Sequence, residues 1–436
     1  MNQILNTGQK VNGASSGMEC VVETFLGGGG QGEVYRAQLC GKAVALKWYF
    51  PASATAEQRS ALEILVRKGS PTEKFLWPLE LAGASGTRGF GYIMPLRDSG
   101  YKGIVDLMKR RCEPTFRALT TAGLELAHSY LQLHAQGFCY RDISFGNVFF
   151  DPKNGAVLIC DNDNVAVDGK ASGVLGTPRF MAPEIVRGSA MPSTQTDLFS
   201  LSVLLFYMFV VHHPLEGQKE AEIKCFDAPA MMKIYGTEPV FVFDPKDASN
   251  RPLPGYHDNA IAFWPIYPKF LRELFTKAFT DGLKDANARV RESEWRSAMV
   301  RARDAICYCA ACAAENFYDS ETLAHNARQC CWSCQAVLFL PPRIRVGHHV
   351  VMFNHDTKLF PHHLNDQKLY DFTRPVAEVT RHPSNPSLWG LKNLGPDKWV
   401  STSPDGSNHD VMPGHSITLA AGTRINFGTS EGEIRI

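Results

Sequence analysis

A run of glycines between two β-type segments is the feature that most constrains the fold of this chain. Five glycines lie between Leu26 and Val34, and the β-type segments Cys20–Leu26 and Glu33–Leu39 flank them. Glycine lets a backbone approach a phosphate closely and adopt positive φ, so a hairpin of this kind can cover a triphosphate. Taken alone, the glycines fit an unliganded flexible turn equally well.

The segments that follow indicate a small lobe of strands and one helix, and then a larger helical lobe. A third β-type run, Ala43–Trp48, carries a lysine fifteen residues after the last glycine of the hairpin. Helical spacing of apolar residues predicts a helix over Ala56–Lys68, and Phe90–Met94 reads as another strand. Beyond these, the apolar residues of Leu198–Val211 have the spacing of a buried helix, and Arg291–Arg303 ends this mostly helical lobe.

Three later segments fall in a recognisable order. Residues 140–147 read Tyr-Arg-Asp-Ile-Ser-Phe-Gly-Asn, residues 159–163 read Ile-Cys-Asp-Asn-Asp, and residues 176–184 end in Ala-Pro-Glu. Together with the glycine hairpin and Lys47, they resemble the eukaryotic-type protein kinases. This resemblance implies a two-lobed α+β kinase domain that uses ATP with Mg²⁺ or Mn²⁺.

The resemblance also implies a role for each matching residue. Asp142 would accept the proton of the substrate hydroxyl, Lys47 would contact the α and β phosphates, and Glu63 would be the ion-pair partner of that lysine. Asn147 and Asp161 would hold the magnesium ions. The residues implied to contact the nucleotide are Gly27, Gly29, Gly32, Val34, Lys47, Leu96, Asn147 and Asp161.

Other matches imply structural or regulatory roles. Asp197 would anchor the catalytic loop from below, and Arg289 would pair with Glu184. Arg141 suits a phosphorylated activation segment, in which Thr177 and Ser172 are the nearest hydroxyls; Thr177 is equally suited to a structural contact with Asp142.

The departures from the kinase pattern leave two functions open. Tyr140 replaces the usual histidine, Ser144 replaces the lysine that steadies the γ phosphate, and Asn162–Asp163 replace the last two residues of Asp-Phe-Gly. Residues 145–146 lack the pattern of tyrosine kinases, which favours Ser/Thr acceptors. We therefore expect a serine/threonine protein kinase that autophosphorylates. The alternative is a nucleotide-binding pseudokinase scaffold whose carboxyl-terminal domains bind partner proteins.

Half of the twelve cysteines lie between residues 307 and 334. Two Cys-x-x-Cys knuckles are separated by eighteen residues, a spacing typical of a four-thiolate zinc site: Cys309, Cys312, Cys331 and Cys334. A redox role or chance clustering is the alternative. Cys307 and Cys330 remain unassigned, and either can replace a knuckle cysteine by a shift of register.

Charge and composition exclude several classes of function. The 436 residues include 45 Lys+Arg and 44 Asp+Glu, so the net charge of +1 gives no general attraction to nucleic acid or anionic membranes. The amino-terminal residues do not have the pattern of a secretory signal. The longest apolar stretch, Leu198–Val211, is too short to span a bilayer. These observations predict a cytoplasmic protein with reduced thiols.

The last hundred residues have the pattern of a small β domain. Short β-type runs are separated by Pro, Gly, Asn and Asp, which predicts a β-sandwich or barrel. The run Leu419–Gly428 resembles the closing strands of forkhead-associated domains, which implies either phosphothreonine recognition or a scaffold without that activity. Eight of the fourteen histidines lie here, including the pairs 348–349 and 362–363. Hydrogen-bonded or solvated rings are favoured over a metal site.

The expected fold class is α+β, with a bilobal kinase-like domain, a zinc ribbon and a β-sandwich. The expected divisions are a flexible arm (1–17), a kinase domain (18–305, with lobes 18–96 and 97–305), a zinc ribbon (306–340) and a β-sandwich (341–436). This order resembles the bacterial kinase of the TerY, tellurium-resistance-associated, phosphorylation triad. That resemblance implies protein substrates, a von Willebrand A-type partner and a PP2C-type phosphatase.

Overall fold

The computed structural model describes residues 3–169, 173–320, 329–382 and 384–436. The chain divides into two compact units. The first comprises Met1–Trp264 with Glu273–Ser297, and the second comprises Pro265–Arg272 with Ala298–Ile436. Within the described ranges, no helix is both long enough and apolar enough to cross a membrane.

Both units contain short strands, together with helices that differ widely in length. The strands before residue 170 are β1 (Lys10–Gly13), β2 (Glu19–Gly28), β3 (Gly32–Leu39), β4 (Lys42–Tyr49), β5 (Glu80–Gly83), β6 (Gly91–Pro95), β7 (Lys102–Gly103), β8 (Phe138–Cys139), β9 (Val148–Phe150), β10 (Val157–Ile159) and β11 (Ala166–Val167). The described α-helices are α1 (Ala56–Lys68), α2 (Ile104–Met108), α3 (Phe116–Ala135), α4 (Pro183–Val186), α5 (Thr194–Val210), α6 (Gln218–Ala221), α7 (Ala228–Met231), α8 (Asp258–Phe263), α9 (Lys269–Phe279), α10 (Asp281–Lys284), α11 (Glu292–Asp304) and α12 (Pro361–Leu364).

The first six strands close into a barrel in the order β1-β2-β3-β4-β6-β5. The β-type segments read from the sequence lie in β2, β3, β4 and β6, and the predicted helix Ala56–Lys68 is α1. Alternating side chains of β2 and β3, such as Val22 and Tyr35, fill the barrel core. Antiparallel pairing of β3 with β4 sets Val34 opposite Lys47. The lysine therefore lies beside the strand that leaves the glycine hairpin.

The amino-terminal segment differs from the expected flexible arm. Strand β1 pairs with both β2 and β5 and so completes the barrel. Leu5 and Val11 are fully buried, and the N–H of Leu5 donates to the hydroxyl of Tyr35 at 3.0 Å. The prediction of a flexible arm is wrong for residues 3–17, because two apolar side chains of this polar segment enter the barrel core and part of its backbone pairs as a strand.

The helical part of the first unit is built around α5. Nearly every side chain of this helix is buried, so its sequence is apolar on all faces. Phe206 of α5 packs edge-to-face against Phe241, Phe275 and Phe279, with ring centroids 5.3 to 5.7 Å apart. Such aromatic contacts add to the stabilisation from burial alone. They hold the base of the helix bundle together.

A buried histidine joins three helices at the opposite end of α5. His134 of α3 lies with Nε2 3.1 Å from Asp197 Oδ2 at the start of α5, and its Nδ1 contacts the carboxylate of Glu292 at the start of α11. Burial alone would lower the pKa of His134, but the hydrogen bonds to Asp197 and Glu292 raise it to about 9. The ring is therefore a cation at neutral pH.

The second unit contains a small hairpin and two larger sheets. Strands β12 (Ile306–Tyr308) and β13 (Glu315–Phe317) form the hairpin. The sheets run β15-β14-β23-β22-β19-β20 and β16-β17-β18-β21. Their strands are β14 (Arg343–Val346), β15 (His349–Met352), β16 (Lys358–Leu359), β17 (Ala377–His382), β18 (Asn385–Asn393), β19 (Trp399–Thr402), β20 (Asn408–Val411), β21 (Ser416–Thr418), β22 (Arg424–Asn426) and β23 (Glu431–Arg435).

One apolar cluster is shared by both sheets of the second unit. Ile344 and Ile434 enter it from the first sheet, and Leu359 and Leu391 enter it from the second. Two sheets that bury one common face must keep alternating apolar positions along each strand. The strands include the short β-type runs that the sequence shows beyond residue 341.

The charged state of His134 predicts a pH-dependent stability of the first unit. The pKa of this ring in the folded chain, about 9, lies above the ordinary value of 6.5, so its stabilisation is complete below the ordinary value and is lost as the pH rises through about 9. We expect His134→Gln to lower the free energy of unfolding by about 3 kcal/mol at about pH 6. At about pH 10 the same substitution should cost much less.

Scanning calorimetry of the native chain and of His134→Gln, at about pH 6 and at about pH 10, measures this difference in the free energy of unfolding. His128→Gln is the matched control, because His128 lies on the same helix and burial lowers its pKa instead. An equal loss of stability at both pH values in His134→Gln would contradict a charged, doubly paired ring.

Candidate active site and cysteine cluster

A cleft of about 750 Å³ opens beside the glycine hairpin. Its lining includes most of the residues predicted to hold a nucleotide: Gly27, Gly29, Gly32, Val34, Lys47, Leu96 and Asp161. A Cβ at Gly32 would lie 2.2 Å from the carbonyl oxygen of Trp48, so the close pairing of β3 and β4 requires glycine here. Nothing lies within 4 Å of a Cβ built at Gly27 or Gly29, so the tip of the hairpin is open.

The wall opposite the hairpin is largely apolar. Met94 and Pro95 at the end of β6 and Leu96 just after it line the cleft, and Ala45 and Leu76 add to the same lining. Aliphatic side chains that face one another across a narrow cleft suit a planar aromatic base. Leu96, which the family resemblance places at the nucleotide, is part of this apolar lining.

Lys47 is buried and contacts two carboxylates. Its Nζ lies 2.9 Å from Asp163 Oδ2 and 3.6 Å from Asp161 Oδ1. Burial opposes the charge of this amine, yet the neighbouring charges of Asp163 and Asp161 raise the pKa of Lys47 above its ordinary value. The lysine therefore presents a fixed positive charge to the cleft.

Asp163 sits in a fully buried polar pocket. Its carboxylate accepts hydrogen bonds from the hydroxyls of Tyr49 and Tyr92, the latter at 3.0 Å, in addition to those from Lys47. Burial would raise the pKa of Asp163, but the charge of Lys47 and these hydrogen bonds lower it. No sequence pattern identified this residue, because the kinase pattern has glycine in its place.

Glu63 does not pair with Lys47. Its carboxylate is about half exposed and accepts from Arg59 Nε at 3.2 Å on the outer face of α1. The inward face of the helix carries Gln58, Leu62 and Leu65 instead. The expected pairing of Glu63 with Lys47 rests on distance along the chain. It is wrong because the helical repeat of 3.6 residues turns Glu63 away from the barrel. The spacing of Gln58, Leu62 and Leu65 was the sequence signal that could have identified the inward face.

The catalytic loop brings Asp142, Asn147 and Thr177 together. Asn147 Nδ2 donates to Asp142 Oδ2 at 2.9 Å, and Thr177 Oγ1 donates to Asp142 Oδ1 at 2.7 Å. Each carboxylate oxygen thus has one donor that fixes its orientation. Thr177 is a structural contact in this conformation, while Ser172 lies outside the described residues.

The loop is anchored from beneath by Asp197. Its two carboxylate oxygens accept the backbone N–H groups of Tyr140 and Arg141. The hydroxyl of Tyr140, which replaces the usual histidine, donates to the carbonyl of Cys160 and so ties the loop to the strand end that leads to Asp161. Glu184 and Arg289 form the expected pair, with Arg289 Nη2 2.8 Å from Glu184 Oε2.

Comparison with known proteins identifies the family of this unit. The sequence signature described as protein kinase domain matches residues 20–263, more than half of the chain. The chain belongs to this family. The kinase domain thus accounts for the cleft, the buried lysine and the catalytic loop.

Curated relatives of the kinase domain come from bacteria, animals and plants. The mouse protein kinase C delta type is 37% identical over 95 residues, which are 21% of this chain and 14% of the relative. A DNA damage-responsive serine/threonine-protein kinase of Deinococcus radiodurans is 31% identical over 210 residues, 46% of this chain and 31% of the relative. The rice CBL-interacting protein kinase 4 is 28% identical over 215 residues, 46% of each chain. The chain thus spans less than half the length of these relatives.

The metal-binding positions of the kinase domain have suitable oxygen donors. Asp161 has a left-handed backbone conformation, with φ 49°, and lines the cleft. Burial raises the pKa of Asp161 against the attraction of Lys47, an arrangement that a divalent cation would relieve. Asn147 uses its amide nitrogen to bind Asp142, which leaves the amide oxygen as a metal acceptor. These residues fit Mg²⁺, which prefers oxygen ligands.

Ser144 leaves the catalytic loop without its usual cation. The side chain is buried, and the described cationic residues that line the cleft are Lys47, Arg36 and Arg97. Arg36 pairs with Glu23 at 2.8 Å, and the guanidinium of Arg97 lies 4.0 Å from the ring centre of Phe149. Neither of these interactions replaces a lysine two residues after Asp142.

The four knuckle cysteines of the second unit converge. Their sulfur atoms all lie within 4.8 Å of one another, and two pairs, Cys309 with Cys334 and Cys312 with Cys331, are 3.7 Å apart. A tetrahedral zinc ion with Zn–S bonds of about 2.3 Å separates its ligands by about 3.8 Å. The donor set therefore has the chemistry and the spacing of a structural zinc site.

The two knuckles repeat one local conformation. In the first, the N–H of Ala313 donates to the carbonyl of Cys309, and in the second the N–H of Gln335 donates to that of Cys331. Ala313 and Gln335 both have positive φ, 62° and 61°. Burial opposes ionisation of Cys331, yet nearby N–H donors lower its pKa to about 6, which favours the thiolate.

Cys307, Cys330 and the paired histidines are not among the four convergent sulfur ligands. Cys307 is buried in β12 opposite Asn316, and Cys330 is exposed. His362 and His363 are buried, and their Nδ1 atoms accept the N–H groups of Tyr370 and Phe360 at 2.8 and 2.9 Å. An Nδ1 that accepts leaves the proton on Nε2 of the neutral ring. These contacts fit the hydrogen-bonded histidines favoured by the sequence.

Proposed function

We propose that this chain is a serine/threonine protein kinase that transfers the γ-phosphoryl group of MgATP to protein hydroxyls and phosphorylates itself. The observation that carries this proposal is the fixed carboxylate of Asp142, which faces a nucleotide-sized cleft with one donor on each oxygen. Two of the curated relatives described above are named as serine/threonine or CBL-interacting protein kinases. One of these is bacterial, which supports a role in a bacterial signalling system.

ATP would enter the cleft with its base against the apolar wall at Leu96. The open glycine hairpin would cover the phosphates with its N–H groups, because no side chain intervenes. Lys47 would contact the α and β phosphates with a buried positive charge, which is worth most where water is excluded. These residues bind and orient the nucleotide for in-line attack.

Asn147 and Asp161 would hold the magnesium ions. Magnesium supplies positive charge to the β and γ phosphates as negative charge is redistributed during transfer. Asp161 lies on the cleft side of Lys47, and Asn147 shares hydrogen bonds with Asp142. Asn147 and the base therefore share one short loop, and the hydrogen bond from the N–H of Cys160 to the carbonyl of Asn147 joins that loop to the segment that carries Asp161.

Asp142 would accept the proton of the attacking hydroxyl. Its oxygens are oriented by Asn147 and Thr177, and its loop is fixed by the two bonds to Asp197. A positioned base of this kind typically contributes a rate factor of about 10² to 10⁴. Because Ser144 supplies no cation to the γ phosphate, we expect a lower turnover than the family's usual machinery supports.

Phosphate transfer from labelled MgATP tests the proposed activity. We expect the native chain to label itself and a generic Ser/Thr acceptor such as myelin basic protein. Asp142→Asn and Asp161→Asn should each lower incorporation by about 10² or more, since they remove the base and a metal ligand. Acid hydrolysis of the labelled product should release phosphoserine or phosphothreonine.

Asp410→Asn is the matched control, because Asp410 is exposed and pairs with Lys398 on the surface of the second unit. It should label as the native chain does. A native chain that binds MgATP but incorporates no more label than Asp142→Asn would instead favour the pseudokinase scaffold, for which the loss of cation at Ser144 is the supporting observation.

We also propose that the cysteine cluster binds zinc and forms a zinc ribbon with the β12–β13 hairpin. The sulfur separations of 3.7 Å and the repeated knuckle conformation support this assignment. The two sheets that follow have a common apolar cluster, which supports a β-sandwich. We infer a forkhead-associated-like domain from its closing strands. Protein partners of the von Willebrand A and PP2C types remain an inference from the triad resemblance.

Metal analysis tests the zinc site. The purified chain should contain about one zinc ion, and Cys309→Ser combined with Cys331→Ser should abolish it. Cys40→Ser combined with Cys225→Ser is the control, because both of these thiols are exposed and lie outside the cluster.

Single Cys307→Ser and Cys330→Ser variants should keep their zinc, which separates the assigned ligands from a shifted register. A native chain that is folded without zinc, or loss of zinc in either single variant, would contradict the four-cysteine assignment.

A further inference from the structure

The helix beside Lys47 offers no carboxylate to the lysine. Among the described residues of α1, the side chain that reaches toward the cleft is Gln58, whose Nε2 lies 3.0 Å from the hydroxyl of Tyr49 and 3.4 Å from the backbone oxygen of Asp163. Glu57 and Glu63 are exposed. The polar side chain on the inward face of the helix is thus an uncharged amide.

The carboxylate that α1 does not offer to Lys47 is present two residues after Asp161, in the side chain of Asp163. Both oxygens of Asp163 accept from Lys47 Nζ, at 3.0 and 2.9 Å. Asp161 is farther from the amine, at 3.6 Å, and its side chain is 42% exposed to the cleft, whereas that of Asp163 is fully buried. Asp163 is therefore the closer carboxylate, and it does not face the cleft where the nucleotide would bind.

Three other groups hold Asp163 in place. Tyr49 and Tyr92 donate their hydroxyls to its carboxylate, and Gln58 donates to the backbone oxygen. Tyr49 is two residues from Lys47 on β4, and Tyr92 is opposite Lys47 on β6. Asp163, the side chains that donate to it and Lys47 thus form one buried network, which is anchored on the adjacent strands β4 and β6.

We propose that Asp163 is the positioning residue of Lys47, in place of a carboxylate on α1, and that Gln58 occupies the helix position from which that carboxylate is missing. This inference rests on the proposed kinase activity. Because Asp163 and the metal ligand Asp161 lie in the same short turn, one turn sets both the lysine and the metal site. The negative charge that pairs with the lysine then lies outside α1, and the helix contributes only the amide of Gln58.

Steady-state kinetics of Asp163→Asn tests this role. The amide oxygen can still accept from one tyrosine hydroxyl and the amide nitrogen can donate to the other, but the substitution removes the charge that faces Lys47. We expect kcat/KM for MgATP to fall by about tenfold or more, since a displaced lysine no longer contacts the phosphates in the reactive geometry. The thermal midpoint should change much less than in a variant that loses the whole side chain. Glu57→Gln, an exposed change on the same helix, is the matched control.

A charge-relocation variant separates positioning from a merely structural role. Gln58→Glu combined with Asp163→Asn returns a carboxylate to the helix, next to the same Tyr49 hydroxyl. We expect this double variant to recover most of the lost kcat/KM. Tyr49→Phe combined with Tyr92→Phe removes the two hydroxyls that orient Asp163 and should give a smaller loss. This pair also keeps the test available if Asp163→Asn does not fold.

Several results would overturn the proposal. Native or raised activity in Asp163→Asn would make the pair dispensable or inhibitory, and loss of activity in Glu63→Gln alone would return the role to the helix. Failure of Gln58→Glu to improve a folded Asp163→Asn variant would leave Asp163 as a structural residue. If the native chain transfers no phosphate, the proposed function fails separately. The dissociation constants for MgATP of the native chain and of the same variants then decide the role of Asp163. Equal constants for the native chain and Asp163→Asn would count against that role.

Discussion

The two hydrogen bonds that the catalytic loop donates to the carboxylate of Asp197 are the constraint on which the candidate site depends. Two consecutive backbone N–H groups, those of Tyr140 and Arg141, end on one buried carboxylate, and His134 supplies the positive charge that makes this burial tolerable. Arg141 has a φ of 72°, a conformation that costs energy for a side chain of its size. The anchor compensates that strain and directs Asp142 toward the cleft.

The residues predicted correctly from sequence are those whose positions depend on short local segments. Asp142 and Asn147 are five residues apart in one loop, so any chain that forms the loop brings them together. The glycine hairpin and Lys47 are related by strand register, which alternation of side chains fixes once β3 and β4 pair. Each cysteine knuckle depends on one short turn, and the same turn is present in both knuckles.

The residues that sequence missed depend on packing between distant segments. The partner of Lys47 lies more than a hundred residues away, in a triplet that departs from the family pattern. The face of α1 that meets the barrel follows from the helical repeat, but which inward residue meets the lysine depends on how the helix docks. The first strand shows the same limit: β1 is polar and short, and its pairing with β5 depends on a segment some seventy residues later.

The balance of charge in the cleft follows from these departures. Lys47 is a buried cation that faces two neighbouring carboxylates, Asp161 and Asp163, and Ser144 contributes no positive charge where the family pattern has a lysine. A triphosphate brought into this cleft would meet less positive charge than in the usual arrangement, and in a medium of low dielectric its repulsion by Asp161 is poorly screened. Divalent cations at Asp161 and Asn147 would offset it. We therefore expect binding of the nucleotide to depend more strongly on binding of its metal than in a kinase that retains the lysine.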